Sequence, residues 1–343
     1  MEHHEREFCI SKIRTGNFYY QEKLIIKPIS LEKSVLANIA YNNAYKEAQE
    51  DDVMTEAEML RWMKENGFWH KVNENNIEKY KNNIEDIKVE MYEKRMFKKQ
   101  VKDIRYRLRV EERKLAVEYE TKNSFYEHTC ESVAQLEKIY WIVKNSTYDL
   151  EGNRQNIDDE VINDIVSSWG SFLLQEYEIR ELARNEPWKS LWSILGKTAE
   201  LFSNEKNTEL NQNQKSLAIW SRIYDSVHES IDSPEDYVIE DDDILDGWFI
   251  FQSRKRKAEK KQNSISSRTS KNSNAQELFL MADSLEDAQD IYSANDTEAK
   301  NIISQRSKQI QSSDKPIEHY DLADKQIELR QEYHKMVSNQ RKK

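Results

Sequence analysis

Residues 74–122 contain neither glycine nor proline. A run of that length without a helix breaker leaves little besides helix open to the backbone. Its apolar residues are periodic. Ile77, Tyr80, Ile84, Ile87 and Met91 follow steps of three and four, the phase breaks near Lys94, and the series resumes at Phe97, Val101, Ile104 and Leu108, with Leu115 and Tyr119 beyond. The spacing predicts one long helix, or a helical hairpin bent at the phase break, packed along a single seam. Each half sustains only about two heptads, which favours packing within the chain over a free coiled-coil dimer.

The rest of the chain points the same way. Only 6 Gly and 4 Pro occur in 343 residues, far fewer than turn-rich β folds need. The 8 Trp, 17 Tyr and 10 Phe supply the burial that a disordered chain lacks. The expected fold class is mainly α: a multi-helix bundle with a long helical hairpin or extended helix and a small N-terminal β flap. The flap is read from short β-favouring runs at Phe8–Ile10 with Ile13, at Phe18–Tyr20 and at Leu24–Ile26, around Thr15-Gly16-Asn17 and closed by Pro28. Helices are expected over Leu31–Glu50, after the capping box Thr55–Glu58, over Ser132–Lys144, Ile157–Ser168 and Ser171–Arg184, from Trp188, and over Leu217–Val227. Trp188, Trp192 and Trp220 are candidate core.

Five segments follow: 1–70, β flap plus helices; 71–125, the long charged helix or hairpin; 126–262, a Trp-rich bundle; 263–275, a Ser/Asn-rich flexible linker; and 276–343, a C-terminal helical tail. Within the last, Leu278–Met281 reads as a strand or helix start, Ser284 caps a short helix, and Asp321–Lys343 is charged and helical.

The formal net charge is −11, so no global field favours nucleic acid or an anionic membrane. No stretch approaches a transmembrane helix, and the first residues lack the cationic start and apolar core of a signal peptide. Cys9 and Cys130 are far apart and lack metal-ligand spacing, as expected of reduced thiols in a cytoplasm.

Catalytic and ligand motifs fail on inspection. Gly196-Lys197-Thr198 resembles the end of a P-loop, but Leu191 stands where its first glycine belongs. Asp242–Ser253 can be laid over a calcium loop with Gly247 at the turn, yet Ile244 and Ser253 fall where oxygen ligands, one a bidentate Glu, are needed. The histidines lack ligand spacing, and His128 near Cys130 is a weak pairing. The reading is non-enzymatic, with no catalytic residue, no cofactor and no metal site.

Two charged segments carry the interaction chemistry. Glu235, Asp236, Glu240, Asp241, Asp242, Asp243 and Asp246 lead into the apolar turn Gly247–Phe251, and Arg254–Lys257, Lys260 and Lys261 follow. Aromatics flanked by charge suit an interface anchor. Asp241, Asp242, Asp243, Asp246, Trp248 and Phe249 are therefore the expected partner-binding residues. The second segment, Lys94–Lys114, holds ten cations against three anions, a local charge of +7, interleaved with Phe97 and Tyr106. Its alternatives are pairing with protein acids, including this chain's Asp241 cluster, or nucleic-acid binding through Lys98, Lys102, Arg105, Arg107 and Arg109.

The strings Glu186–Ser193 and Val238–Trp248 followed by Arg254-Lys255-Arg256, together with Thr55–Glu58, Asn66–Trp69 and the charged helix after them, resemble phrases in uncharacterised proteins of tailed bacteriophages. The resemblance touches most of the chain. It implies a tail-assembly chaperone or another late morphogenesis factor: a virion assembly or structural accessory that binds another protein, a virion or tail component, in the cytoplasm of the infected bacterium or in the virion. A nucleic-acid-associated protein using residues 94–114 is the alternative.

Overall fold

The computed structural model describes residues 1–270 except 197, 199 and 204–206, residues 284–295, and scattered positions between 297 and 331. The chain divides into two compact units, Met1–Phe251 and Gln252–Lys343. It is mainly helical, with 13 α-helices among the described residues and one small three-stranded sheet.

The first unit begins with α1 (His3–Thr15), β1 (Phe18–Tyr20), β2 (Leu24–Ile26), α2 (Leu31–Glu50), α3 (Glu56–Glu65), α4 (Lys71–Glu93) and α5 (Lys98–Asn123). It continues with α6 (Cys130–Ser146), β3 (Thr147–Asp149), α7 (Asp159–Ser167), α8 (Glu176–Arg184), α9 (Trp188–Leu195), α10 (Gln212–Glu229), α11 (Asp236–Glu240) and the start of α12 (Asp242–Ser270).

The N-terminal segment corrects one expectation. Phe8–Ile13 is not a strand but the second half of α1. The Glu2 backbone N–H donates to Glu5 Oε2 at 2.7 Å, and Gly16 ends the helix at φ 70°. Ile10 and Ile13, three residues apart, fall on one buried face. End caps and that face outweigh a weak β preference. The sheet instead completes itself with β3, more than a hundred residues downstream, in the antiparallel order β1-β2-β3 with Ile25 opposite both Tyr19 and Tyr148.

Residues 71–123 form the hairpin, α4 folded back on α5 with the break at 94–97, where the phase of the apolar series is lost. Met91 on α4 and Val101, Ile104 and Leu108 on α5 are buried in the seam. They join the largest core, which also takes Ile10, Leu182, Trp188, Leu217, Tyr224, Leu245 and Trp248. Of the three candidate core tryptophans, Trp188 is fully buried, while Trp192 and Trp220 pack partly buried against it. A second core lies between the sheet and α6–α7, where Phe18 stacks on Phe172 at 5.1 Å.

Three further elements are as the sequence predicts, and one is not. The Thr55 hydroxyl and Glu58 close the capping box of α3, and α9 starts at Trp188. Ser284 caps α13 (Leu285–Ala294), in the second unit, where Lys261 and Asp290 pair at 2.8 Å. The linker expected at 263–275 differs: α12 continues unbroken through 270. Those positions contain no Gly or Pro, so each Ser or Asn costs an established helix only about half a kcal/mol, and extending a helix is easier than nucleating one. Residues 271–275, Leu278–Met281 and the tail 321–343 apart from Gln331 lie outside the described residues.

Candidate interaction surfaces

Asp241 ends α11, and its carboxylate accepts the Ile244 N–H at 3.3 Å, so it caps the helix that follows. Asp242 and Asp243 sit in the first turn of α12, where carboxylates complement the helix dipole. All four acids at this helix start then turn inward. Arg105 of α5 donates to Asp241 and, through Nε, to Asp243 at 3.0 Å, and Arg109 reaches Asp243 at 2.7 Å. From α8, Arg184 donates to Asp242, while Arg180 lies 3.1 Å from Asp242 and 2.9 Å from Asp246. Lys88 of α4 closes the set on Asp246 at 2.6 Å.

Arg180 is only 4% exposed and lies over the Trp220 ring at 4.2 Å. Burial works against its charge, but Asp246 and Asp242 outweigh that and hold its pKa above the ordinary arginine value. The same balance raises Arg109, where burial is opposed by Glu112 and Asp243. Such a cluster fixes which helices meet, since removing one charge strands the others in a poorly solvated place.

This geometry corrects the expected docking turn. Gly247–Phe251 is the interior of a helix, Trp248 is 4% exposed, Phe249 packs on the main core, and Asp241, Asp242, Asp243 and Asp246 are engaged by the chain's own cations. Pairing of the basic helix with the Asp241 cluster, one alternative read from the sequence, is made by Arg105 and Arg109. Arg180 and Arg184, one turn apart on α8, were the missing partners.

The expected basic surface is likewise only partly free. Arg105 and Arg109 belong to the cluster, and Arg107 reaches Glu90 on α4 at 2.7 Å. Lys98 and Lys102 are exposed.

A surface that sequence reading passed over lies on α2. This helix packs against α6, with Cys130 N–H donating to Met54 O at 3.0 Å at one end and Lys33 Nζ to Asn145 O at 3.0 Å at the other. It does so through its small residues: Ala37, Ala44 and Ala48 are buried. Its large apolar residues face solvent instead, Leu31, Val35, Leu36 and Ile39 being 48–59% exposed. An ordinary amphipathic helix does the reverse. The available signal was the alanine face opposite the Leu31, Val35 and Ile39 stripe.

One cleft of about 310 Å³ opens between α1, β1 and the start of α10, lined by Phe8, Lys12, Tyr19 and Phe172 among others. Its amides are already occupied, Asn211 donating to Gly16 O and Asn213 to Phe172 O, both at 2.8 Å. Among the described residues no group of three or more His, Cys, Asp or Glu is placed to hold a metal ion, and no helix is long and apolar enough to cross a membrane. No protein-family model, curated protein or solved structure matches this chain.

Proposed function

We propose that the chain is a non-catalytic assembly or structural accessory of a tailed bacteriophage, acting by protein–protein contact in the infected cell or in the particle, and that α2 is a self-association surface. The phage context rests on the string resemblance alone. The contact surface rests on one observation, the apolar ridge Leu31, Val35, Leu36 and Ile39 standing in solvent, which is the kind of patch a partner covers.

The ridge is complementary to itself. A two-fold axis through Val35, with the two α2 helices antiparallel, sets Leu31 of each copy opposite Ile39 of the other and Val35 opposite itself, as an isologous interface requires. Covering eight half-exposed apolar side chains gains roughly 8 kcal/mol, which is comparable with the cost of association. The dimer is therefore weak and concentration-dependent, and rises in population where assembly raises local concentration.

Sedimentation velocity over a concentration series tests this. Association that is lost in the doubly substituted V35D/I39D chain, at an unchanged thermal midpoint, supports the proposal. A wild-type chain that stays monomeric throughout, or a variant that associates as before, overturns it. The phage reading has a separate test: affinity capture from an infected host, nuclease-treated, should retain a virion or tail protein with the wild-type chain.

A further inference from the structure

We infer that the solvent face of α5 is a binding ridge for single-stranded nucleic acid, built from Lys98, Lys102 and Arg113 with Tyr106 at its centre. The positions 98, 102, 106, 109 and 113 follow steps of four, four, three and four and so form one stripe. At 1.5 Å per residue the stripe is about 22 Å long. The opposite face, with Val101, Ile104 and Leu108, is buried in the hairpin seam, so the helix cannot rotate the stripe away.

The structure also separates structural cations from free ones. Arg105 and Arg107 are spent on Asp241, Asp243 and Glu90, and Arg109 is shared with Asp243 and Glu112. Lys98, Lys99, Lys102 and Arg113 are exposed and enter no ion pair among the described residues. Acids do border the stripe: Asp103 beside it, Glu120 two turns past Arg113, Glu240 next to Arg109, and Glu112 paired with Arg109. The chain's net charge of −11 does not cancel this face, because exposed charges are screened beyond about 8 Å at physiological salt.

The aromatics favour nucleic acid over an acidic protein segment. Tyr106 is 74% exposed in the middle of the cations, and Met96 and Phe97 are exposed at their N-terminal end. A solvent-facing ring between phosphate-spanning cations is the arrangement on which an unpaired base stacks. Every unpaired base offers that ring a flat face, a run of acidic side chains alone does not, and duplex bases are not available to it.

The test is fluorescence anisotropy of the full chain with a labelled oligothymidine of about 20 nucleotides, the same strand in a duplex, and polyglutamate as competitor. Three free cations, Arg109 being held by Asp243 and Glu112, predict a slope of about −2 in log K against log salt. The triple variant K98Q/K102Q/R113Q removes no internal ion pair, so it should melt as wild type while its slope falls to near zero. The Tyr106→Ala variant should weaken single-strand binding about tenfold and leave the duplex unaffected. The inference is overturned by no binding at about 50 mM salt, by a triple variant that binds as wild type, by equal loss on single strand and duplex in Tyr106→Ala, or by polyglutamate displacing the oligonucleotide at equal charge.

Discussion

Gly247 of α12 lies against the backbone of Lys88 on α4: a Cβ at position 247 would stand 2.0 Å from the Lys88 carbonyl oxygen and 2.8 Å from its carbonyl carbon. Glycine is there to let two helices touch, not to make a turn. One residue earlier, Asp246 pairs with the Lys88 ammonium at 2.6 Å, so the crossing is set by a missing side chain and an ion pair together.

Replacing Gly247 with alanine therefore tests the crossing. In a free helix alanine is better than glycine by about 1 kcal/mol. Here the clash is with backbone, which cannot rotate away, and overpacking of this kind costs about 1–3 kcal/mol or more beyond that gain. The thermal midpoint of Gly247→Ala should fall by at least several degrees. A rise would show that the helices separate without loss.

Arg180→Met keeps most of the side-chain volume but leaves Asp242 and Asp246 facing each other with fewer partners. The expected loss is about 3–5 kcal/mol in a urea titration, as for a buried pair broken from one side. The companion R180M/D242N/D246N chain should recover part of it, because the stranded charges are gone.

Trp188 is fully buried, and its indole N–H donates to Ser221 Oγ at 2.7 Å. Ser221→Ala strands that donor and should cost about 1–3 kcal/mol. The same substitution made with Trp188→Phe should cost less than the two changes added separately.

Stability should also fall in acid, starting at the hairpin. Glu90 accepts hydrogen bonds from Lys94 at 2.6 Å and from Arg107 at 2.7 Å, and the Lys94 bond chiefly holds its pKa below the ordinary 4.5. Glu111, held by Asn83 and Lys114, is lowered likewise. A depressed folded-state pKa gives stability that is present above the unfolded value and lost as pH falls through the folded one. The urea midpoint should hold down to about pH 4.5 and decline below it. Glu90→Gln should flatten that decline, which parallel titrations at either side of the transition would reveal.

How much of this could be read in the chain depends on how local the cause is. The α4–α5 hairpin was legible because Ile77 to Leu108 carry their own period and Lys94 its break. The α3 start was legible because Thr55 and Glu58 lie within hydrogen-bond reach along the chain. By contrast, Phe8–Ile13 has a β-favouring composition and becomes helix through caps and burial, and β3 pairs with β2 across more than a hundred residues. Pairing of the basic helix with the Asp241 cluster was one alternative the sequence offered, and Arg105 and Arg109 make it, but Arg180 and Arg184 come from a separate helix and left no local sign.

By itself, then, the sequence determined that this chain is helical, where the apolar phase of its long charged segment breaks and which stretches carry charge, since periodicity, capping and breaker-free runs act over a few residues. Only the tertiary structure decided which of those charges remain available. It spends Asp242 and Arg105 inside the fold and leaves Lys98, Tyr106 and the apolar ridge of α2 in solvent. Ion pairing and burial depend on which distant segments meet, and nothing in the spacing of one segment records its partner.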